Sequence, residues 1–300
     1  MPRPLPDPPA RHFLTGDELD REHLTALLGR ATKLKEGRDS GEGREILSGR
    51  SVALIFEKPS TRTRISFEVG AAELGGTPLV LRGDELQLTR GESIADTSRV
   101  MSRYVHAIVI RSGSHEAVEE LTEAASVPVI NALTPLHHPC QALADLQTLH
   151  ERFGALDGLR LAYVGDGNNC ARSLAILGRI AGVEVVVASP KGYALEDGIA
   201  EITDDPRAAA EGADAVYTDV WVSMGDEADA DRRRTDLAPY QLNEELLDAA
   251  SKRAIAMHCL PAHPGEEITE GVLYGKRSAV WDQAENRLHA QKALLELLIS

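Results

Sequence analysis

The sequence contains few cysteines and few aromatic residues, and it has no long apolar segment. Its three cysteines, Cys140, Cys170 and Cys259, are too few and too widely spaced for a disulfide scaffold, and no Cys-x-x-Cys pair indicates structural zinc. We therefore expect reduced thiols. No apolar stretch reaches the ~18–20 residues that cross a bilayer. The sequence thus predicts no membrane-spanning segment.

Basic residues are also scarce. The chain has 32 lysines and arginines against 47 aspartates and glutamates, which gives a net charge of -15. This excess of negative charge argues against general nucleic-acid binding, so an anionic substrate must be held by a local group of cations. Residues 1–6 lack the apolar core of a signal peptide, and we expect a cytoplasmic location.

The length and the hydrophobic pattern predict an α/β protein of two domains. At 300 residues the chain is about twice as long as a typical domain. Apolar runs at 52–56, 78–81, 106–110 and 127–130 alternate with helical patterns at 62–74, 93–103, 114–124 and 141–153. A second set of apolar runs follows at 159–164, 183–187, 215–218, 254–258 and 279–281. Such alternation is typical of parallel sheets flanked by helices.

The second set of strands begins after a break near 153–158, where we place a hinge between the domains. We therefore predict a first domain over residues 1–152 and a second over 153–283. The remaining segment, 284–300, has the pattern of a strongly apolar helix with no sheet of its own left to cover. We expect this helix to pack back on the first domain.

Ser60-Thr61-Arg62-Thr63-Arg64 brings hydroxyl and guanidinium groups together at the start of a predicted helix. An apolar strand precedes this helix, and Gly75-Gly76 ends its apolar pattern. Helix N-termini attract anions because their first N–H groups lack partners and lie at the positive end of the helix dipole. The alternative is a helix cap followed by solvated arginines, but hydroxyls and arginines in one turn favour a phosphate site.

His138-Pro139-Cys140-Gln141 opens another predicted helix, and proline suits its first turn. His138 and Gln141 lie three residues apart and share a face of the helix. A neutral histidine and an amide can both donate to a carbonyl oxygen, which suits the polarisation of an acyl or carbamoyl group. The alternative is a capping histidine and a surface glutamine.

Gly165-Asp166-Gly167-Asn168-Asn169-Cys170 lies between a predicted strand and a helix, as a dinucleotide-binding turn does. It fails that fingerprint, because Cys170 occupies the third glycine position and the next strand ends without the acid that would hold a ribose. The paired asparagines instead suit the backbone of a zwitterionic amino acid. The alternative is an ordinary tight turn with asparagine in left-handed geometry.

Residues 217–225 run from a predicted strand into a polar, acidic stretch that reaches Arg234, and we predict a long irregular loop there. Loops of this length inside a domain are usually functional or disordered. Asp219 could pair with a substrate ammonium, and Gly225 could serve as the hinge of a lid.

Histidines and cysteines are also potential metal ligands, and the candidates are His137, His138, Cys140, His258, Cys259 and His263. Their spacing matches no metal motif, so we expect no metal. Cys259 follows another predicted strand, but a free cysteine is more often part of a core than a nucleophile, and no obvious base accompanies it.

The polar groups of interest each follow a predicted strand. They are 61–64, Arg111, 138–141, 168–169, Asp219 and Cys259. Ligands of open parallel sheets bind beyond the carboxyl ends of the strands. We therefore expect these groups to line a single cleft between the two domains.

Taken in order, these motifs resemble the aspartate/ornithine carbamoyltransferase family over nearly the whole chain. Residues 60–64 and 138–141 resemble its carbamoyl-phosphate motifs. Three further motifs resemble those of the ornithine branch of the family. They are Asp219 with Ser223-Met224-Gly225, His258-Cys259-Leu260-Pro261, and Asp282-Gln283-Ala284-Glu285-Asn286-Arg287. The resemblance implies two α/β domains, a homotrimer or a multiple of trimers, and no cofactor or metal.

The resemblance also implies individual roles. Ser60, Thr61, Arg62 and Thr63 would hold the phosphate, and Arg111, His138 and Gln141 would address the carbamoyl group, with Arg287 reaching in from the last helix. Gln87 would be lent by a neighbouring subunit. Asn169, Asp219, Ser223 and Met224 would bind the amino-acid end of ornithine, and Cys259 with Leu260 its side-chain end. Chemistry does not separate Asn168 from Asn169, and Asn169 is chosen by alignment with the family motif.

The implied reaction is attack of the neutral δ-amine of L-ornithine on the carbonyl carbon of carbamoyl phosphate, which gives L-citrulline and phosphate. Arg111, His138 and Thr63 would stabilise the charge on the carbonyl oxygen, and Cys259 would help to favour the neutral amine. The alternatives are a sister enzyme that uses aspartate, N-acetylornithine or putrescine, a nicotinamide-dependent oxidoreductase, and a non-catalytic homologue that acts as a binding partner.

Overall fold

The alternating pattern folds into two parallel sheets. The structure, a computed structural model, describes residues 5–86, 91–223 and 227–299. The chain divides into two units, the first made of Met1–Gln147 with Glu285–Ser300 and the second of Thr148–Ala284. The predicted domain boundaries after residues 152 and 283 stay predictions.

The described part of the first unit contains a four-stranded sheet in the order β2-β1-β3-β4, with every neighbouring pair parallel. Its strands are β1 (Ser51–Phe56), β2 (Thr77–Arg82), β3 (Ala107–Arg111) and β4 (Val129–Leu133). Its helices are α1 (Arg21–Glu36), α2 (Thr61–Glu73), α3 (Ile94–Met101), α4 (His115–Ala124) and the start of α5 (Pro139–Phe153). The central strands are buried on both faces, which is why they appear in the sequence as continuous apolar runs.

Side chains and glycine fix where these helices begin and end. Asp20 and Ser93 accept hydrogen bonds from first-turn N–H groups of α1 and α3, as N-capping residues do. Beyond α2, Gly75 has a left-handed φ of 85°, and a Cβ there would lie 2.2 Å from the carbonyl oxygen of Arg44. Only glycine fits that stop, which confirms the predicted end of the helix.

The described part of the second unit contains a five-stranded parallel sheet in the order β7-β6-β5-β8-β9. Its strands are β5 (Arg160–Val164), β6 (Glu184–Ala188), β7 (Glu201–Thr203), β8 (Ala215–Thr218) and β9 (Ile255–His258). Its helices are α6 (Asn169–Ala181), α7 (Pro206–Ala210), α8 (Ala230–Leu237), α9 (Glu244–Ala249) and α10 (Glu270–Leu273).

Two predicted elements are wrong. Residues 279–281 do not form a strand, because α11 (Val280–Ile299) begins there and only Ser278 makes an isolated bridge, with Ala256. Ala279 and Val280 are buried, and a short buried helix start gives the same apolar run as a strand. The predicted irregular loop up to Arg234 is also wrong over its last part, because α8 begins at Ala230.

The last helix returns to the first unit, as predicted. Residues 285–299 of α11 belong to that unit, where Arg30 Nε donates to Glu296 Oε2 at 2.7 Å and Lys292 Nζ donates to Glu73 Oε2 at 2.9 Å. The predicted fold class is therefore confirmed. Within the described ranges, no helix combines the length and the apolar character that a bilayer span needs.

The strand orders place a topological switch point in each sheet. In the first unit the chain proceeds outward in opposite directions from β1 and β3, and in the second unit it does so from β5 and β8. Phe56 lies opposite Arg111 at one of these points, and Val164 lies opposite Thr218 at the other. Such points are where open α/β sheets bind ligands.

Candidate active site

The first group of candidate residues lies at the switch point between β1 and β3. We call it the anion cluster, and its members are Ser60, Thr61, Arg62, Thr63, Arg111, His138, Gln141 and Arg287. Ser60 occupies the N-cap position of α2, but no described N–H of that helix donates to its hydroxyl. Instead, Arg111 Nη1 donates to Ser60 Oγ at 3.0 Å. The Ser60 hydroxyl thus accepts from the Arg111 guanidinium and does not cap α2, and the anion-binding role of this turn stays a prediction.

The first turn of α2 carries the other hydroxyls and Arg62. Thr61 and Arg62 are exposed, whereas Thr63 is buried. Arg64 pairs with Glu68 at 3.5 Å on an exposed face of the helix. The structure thus distinguishes the two arginines of the motif, because the charge of Arg62 acts on His138 whereas Arg64 forms a surface ion pair.

Arg287 on α11 connects distant parts of the first unit. Its Nη2 donates to Thr63 Oγ1 at 3.0 Å, and its Nη1 donates to Gln141 Oε1 at 2.7 Å. Gln141 Nε2 in turn donates to Asp145 Oδ1 at 2.8 Å. Because Arg287 is 3% exposed, this network holds a buried positive charge beside Thr63.

His138 directly precedes α5 and is buried. Burial is the largest cause that holds its pKa well below the usual range, and the nearby charges of Arg287, Arg111 and Arg62 act in the same direction. The imidazole is therefore neutral at neutral pH. A neutral imidazole carries one N–H that can donate to a carbonyl oxygen.

The second group of candidate residues lies at the switch point between β5 and β8. We call it the Asp219 cluster, and its members are Asn168, Cys170, Asp219 and Cys259. The buried Asp219 carboxylate follows β8. Its Oδ1 accepts from Cys259 Sγ at 2.7 Å and from the Val220 N–H at 2.8 Å, and its Oδ2 accepts from Asn168 Nδ2 at 2.8 Å. These bonds orient a carboxylate that can pair with an ammonium.

The two asparagines of the glycine-rich turn differ in role. Asn168 Oδ1 accepts from the backbone N–H groups of Cys170 and Ala171 and from the Tyr163 hydroxyl. It is therefore the N-cap of α6, and its Nδ2 is committed to Asp219. The alternative of a left-handed asparagine is wrong, because Asn168 has an extended backbone with φ at -87°. Asn169 is the half-buried first residue of α6 and stays the predicted substrate ligand.

Cys259 is held as a neutral thiol. Hydrogen bonding with Cys170, then burial and the negative charge of Asp219, raise the pKa of Cys259 well above its usual range. At neutral pH the thiol is a hydrogen-bond donor to Asp219 and not a base. Its role as a catalytic residue stays a prediction.

Leu260 follows Cys259 in a backbone conformation that is rare for a branched residue, with φ at 60°. Its N–H donates to His258 Nδ1 at 2.8 Å. His258 Nε2 lies 3.1 Å from Glu267 Oε1, and both of these side chains are fully buried. Because Nδ1 accepts the Leu260 N–H, the ring proton is on Nε2 and points to Glu267. This chain of bonds holds the Leu260 turn.

Two predicted ligands, Gln87 and Met224, lie outside the described residues. Ser223 is described and half-buried, four residues beyond Asp219. Sequence reasoning missed Tyr163, Glu267 and Arg233 as neighbours of candidate residues. No local sequence pattern pointed to these three residues. The capping role of Asn168 could have been predicted, because asparagine directly before a helix is a common N-cap.

Metal ligation was predicted to be absent. Among the described residues, Cys170, Asp219 and Cys259 bring potential ligand atoms within 4.8 Å of one another, and so do His263, Glu266 and Glu267. Each of these two groups contains only one of the six candidate metal ligands from the sequence analysis, Cys259 in the first group and His263 in the second. A metal at Cys170 and Cys259 would have to displace thiol protons that the structure holds in hydrogen bonds. The absence of a metal stays a prediction.

Comparisons with known proteins agree over nearly the whole chain. The model of the aspartate/ornithine carbamoyltransferase carbamoyl-P binding domain matches residues 11–151, and that of the Asp/Orn binding domain matches residues 157–298. The ornithine carbamoyltransferase of Acidothermus cellulolyticus is 53% identical over 303 residues, covering 96% of either chain. That of Parafrankia sp. is 54% identical over 305 residues, covering 97% of this chain and 96% of its own. The solved structure of ornithine carbamoyltransferase from Pyrococcus furiosus has a TM-score of 0.92 at 48% identity, covering 96% of this chain and 97% of its own.

Proposed function

The chain belongs to the aspartate/ornithine carbamoyltransferase family, and we propose that it transfers the carbamoyl group of carbamoyl phosphate to the δ-amine of L-ornithine, giving L-citrulline and phosphate. The observation that carries this proposal is the likeness, at about half of all residues and over nearly the whole length, to relatives named ornithine carbamoyltransferase. The geometry of the two clusters supports it.

The anion cluster binds carbamoyl phosphate. Ser60, Thr61, Arg62 and Thr63 hold the phosphate oxygens with side-chain donors and the first N–H groups of α2. The exposed position of Arg62 and the bond from Arg111 to Ser60 support this role. Positive charge near the phosphate stabilises the leaving group as its bond to carbon breaks.

Arg111 and the neutral imidazole of His138 donate to the carbonyl oxygen, where negative charge develops in the tetrahedral intermediate. Gln141 acts with them and also fixes Arg287, to which its amide oxygen is bonded. Because the low pKa of His138 keeps its ring neutral, it polarises the carbonyl without competing for the phosphate as a cation.

The Asp219 cluster and its neighbours bind L-ornithine. Asp219 pairs with the α-ammonium, with Asn169, Ser223 and Met224 around the amino-acid end. Cys259 and Leu260 receive the side-chain end, whose amine must be neutral to attack. Cys259 acts here as a neutral hydrogen-bonding group that orients Asp219. Aspartate is a poorer substrate, since buried Asp219 would repel its extra carboxylate.

The enzyme works without cofactor or metal, in the cytoplasm, as a homotrimer or a multiple of trimers. Gln87 would reach the site of a neighbouring subunit.

The direct test is product analysis with purified protein. Carbamoyl phosphate and L-ornithine together should give L-citrulline and inorganic phosphate in equal amounts, at a rate proportional to enzyme concentration. Phosphate release that does not depend on L-ornithine would reject the proposal. So would the absence of citrulline formation in every oligomeric form of the purified protein.

A further inference from the structure

Arg233 on α8 contacts the segments that follow β5, β6 and β8 of the second unit. Its Nε donates to the Trp221 carbonyl at 2.5 Å, and its Nη2 forms an ion pair with Asp166 Oδ2. Its guanidinium carbon lies 5.2 Å from the centre of the Tyr193 ring. One side chain therefore bonds to two strand-end segments and stacks on a third.

The ion pair is shielded from water. The side chains of Arg233 and Asp166 are 12% and 17% exposed. Charge-assisted hydrogen bonds in such surroundings are stronger and more directional than surface pairs. The neighbouring Arg232 is a useful contrast, because its pair with Asp229 at 3.1 Å joins side chains that are 65% and 56% exposed.

Both bonds of Arg233 end close to Asp219. Trp221 lies between Asp219 and Ser223 in the chain and is buried. Asp166 is connected to Asp219 through Asn168, whose N–H donates to the Asp166 carbonyl at 2.7 Å and whose Nδ2 donates to Asp219. Arg233 thus restrains the surroundings of Asp219 from two directions.

Tyr193 gives Arg233 a fixed surface to stack on. Its hydroxyl donates to Asp236 Oδ2 on α8 at 2.9 Å, and its carbonyl accepts from the Gly167 N–H at 2.7 Å. A Cβ on Gly167 would lie 2.7 Å from that same carbonyl oxygen, so the glycine-rich turn can approach Tyr193 only without a side chain.

We propose that Arg233 is a positioning residue that sets the affinity of the second unit for the amino-acid substrate, by holding Trp221 and Asp166 so that Asp219 and Ser223 keep their binding geometry. This inference rests on the proposed function. Lysine cannot replace Arg233, because an ammonium on a flexible stem does not reproduce the fork that donates in two directions while stacking on a ring.

The test compares Arg233→Lys with Arg232→Lys, a matched change one residue earlier on the same helix. Arg233→Lys should raise the KM for L-ornithine by about tenfold or more, and the KM for carbamoyl phosphate should stay within about twofold of wild type. Arg232→Lys should leave both values within about twofold. Asp166→Asn should also raise the KM for L-ornithine. In the double variant, the increase in this KM should be smaller than the product of the two single increases, because the two residues act as a pair.

Binding of L-norvaline, which has the amino-acid end of ornithine but no δ-amine, gives a readout that does not need turnover. Calorimetry in the presence of inorganic phosphate should show weaker binding to Arg233→Lys and unchanged binding to Arg232→Lys. An unchanged KM for L-ornithine and unchanged L-norvaline binding in Arg233→Lys would overturn the inference, as would equal losses for both substrates. A wild type that binds L-norvaline but forms no citrulline would reject the proposed function while this comparison still tests Arg233.

Discussion

The Cys259 thiol donates a hydrogen bond of 2.7 Å to Oδ1 of Asp219, across the ends of the neighbouring strands β9 and β8. Thr218 and His258 lie opposite each other in the parallel register, so the residues that follow them meet beyond the sheet edge. The thiol thereby occupies one side of the carboxylate and fixes its direction. This relationship makes Cys259 a partner of the acid and not a thiolate nucleophile.

The effect of replacing Cys259 should therefore depend on whether the new side chain still donates a hydrogen bond to Asp219. Cys259→Ala should raise the KM for L-ornithine by about tenfold, because an oriented hydrogen bond to a charged group is lost. Cys259→Ser keeps an O–H donor and should have a smaller effect. Steady-state kinetics at several pH values check this, and a serine variant as impaired as the alanine variant would contradict it.

Arg62 and Arg64 should differ sharply although they are two residues apart in one motif. Arg62→Ala should lower kcat/KM for carbamoyl phosphate by about 10²–10³, because it removes a charged donor from the developing phosphate. Arg64→Ala is the matched control and should change kcat/KM by less than about twofold, since Arg64 forms an exposed ion pair with Glu68. Equal losses in the two variants would show that the motif is assigned wrongly.

Stability should fall in mild acid because His289 is buried in α11. Burial lowers the pKa of His289 from 6.5 to about 4, Glu285 at 3.6 Å opposes this shift, and Lys292, Lys35 and Arg38 add to it. Between these pH values the unfolded chain binds a proton that the folded chain does not, so stability decreases as pH falls from about 6.5 to about 4.

His289→Gln removes this titration, so the fall in Tm between pH 7 and pH 5 should be smaller in the variant than in wild type. The buried His138 shifts in the same direction and remains in both proteins as a common background. Thermal unfolding followed by circular dichroism measures the difference. Identical slopes for the two proteins would contradict the assignment.

Chelators should not affect the enzyme. The thiols of Cys170 and Cys259 are engaged in hydrogen bonds, and transfer of a carbamoyl group needs only oriented donors and a neutral amine. Dialysis against a strong chelator should leave kcat and Tm unchanged, and elemental analysis should find less than one metal ion per chain. A loss of activity that zinc restores would contradict this.

Much of the fold follows from local patterns. Strands such as β1 and β5 are buried on both faces, and they appear in the sequence as short apolar runs between helical segments. The exceptions have physical causes. β7 is a three-residue strand at a sheet edge with a single apolar residue, Ile202, and so leaves no pattern. The start of α11 is buried and apolar, like a strand.

The candidate site was predictable where one turn carries its chemistry, as in residues 60–64. Where partners come from far along the chain, no local pattern predicted them, and only the resemblance to the family implied that Arg287 reaches into the site. Arg287 meets Gln141 and Thr63 at separations of 146 and 224 residues, and no local pattern specifies such bonds. Likewise, Arg233 stands in a run of three arginines, and only the fold distinguishes it from Arg232.

The choice of amine tests the central claim most directly. With carbamoyl phosphate fixed at a saturating concentration, kcat/KM is measured for L-ornithine, N-acetylornithine, putrescine and L-aspartate by phosphate release, with carbamoylated products identified by mass spectrometry. The account predicts that L-ornithine exceeds each of the others by a factor of about 10² or more. N-acetylornithine has no free α-ammonium for Asp219, L-aspartate brings a second carboxylate, and putrescine lacks the α-carboxylate of the amino-acid end. Equal or faster carbamoylation of any other amine would contradict it.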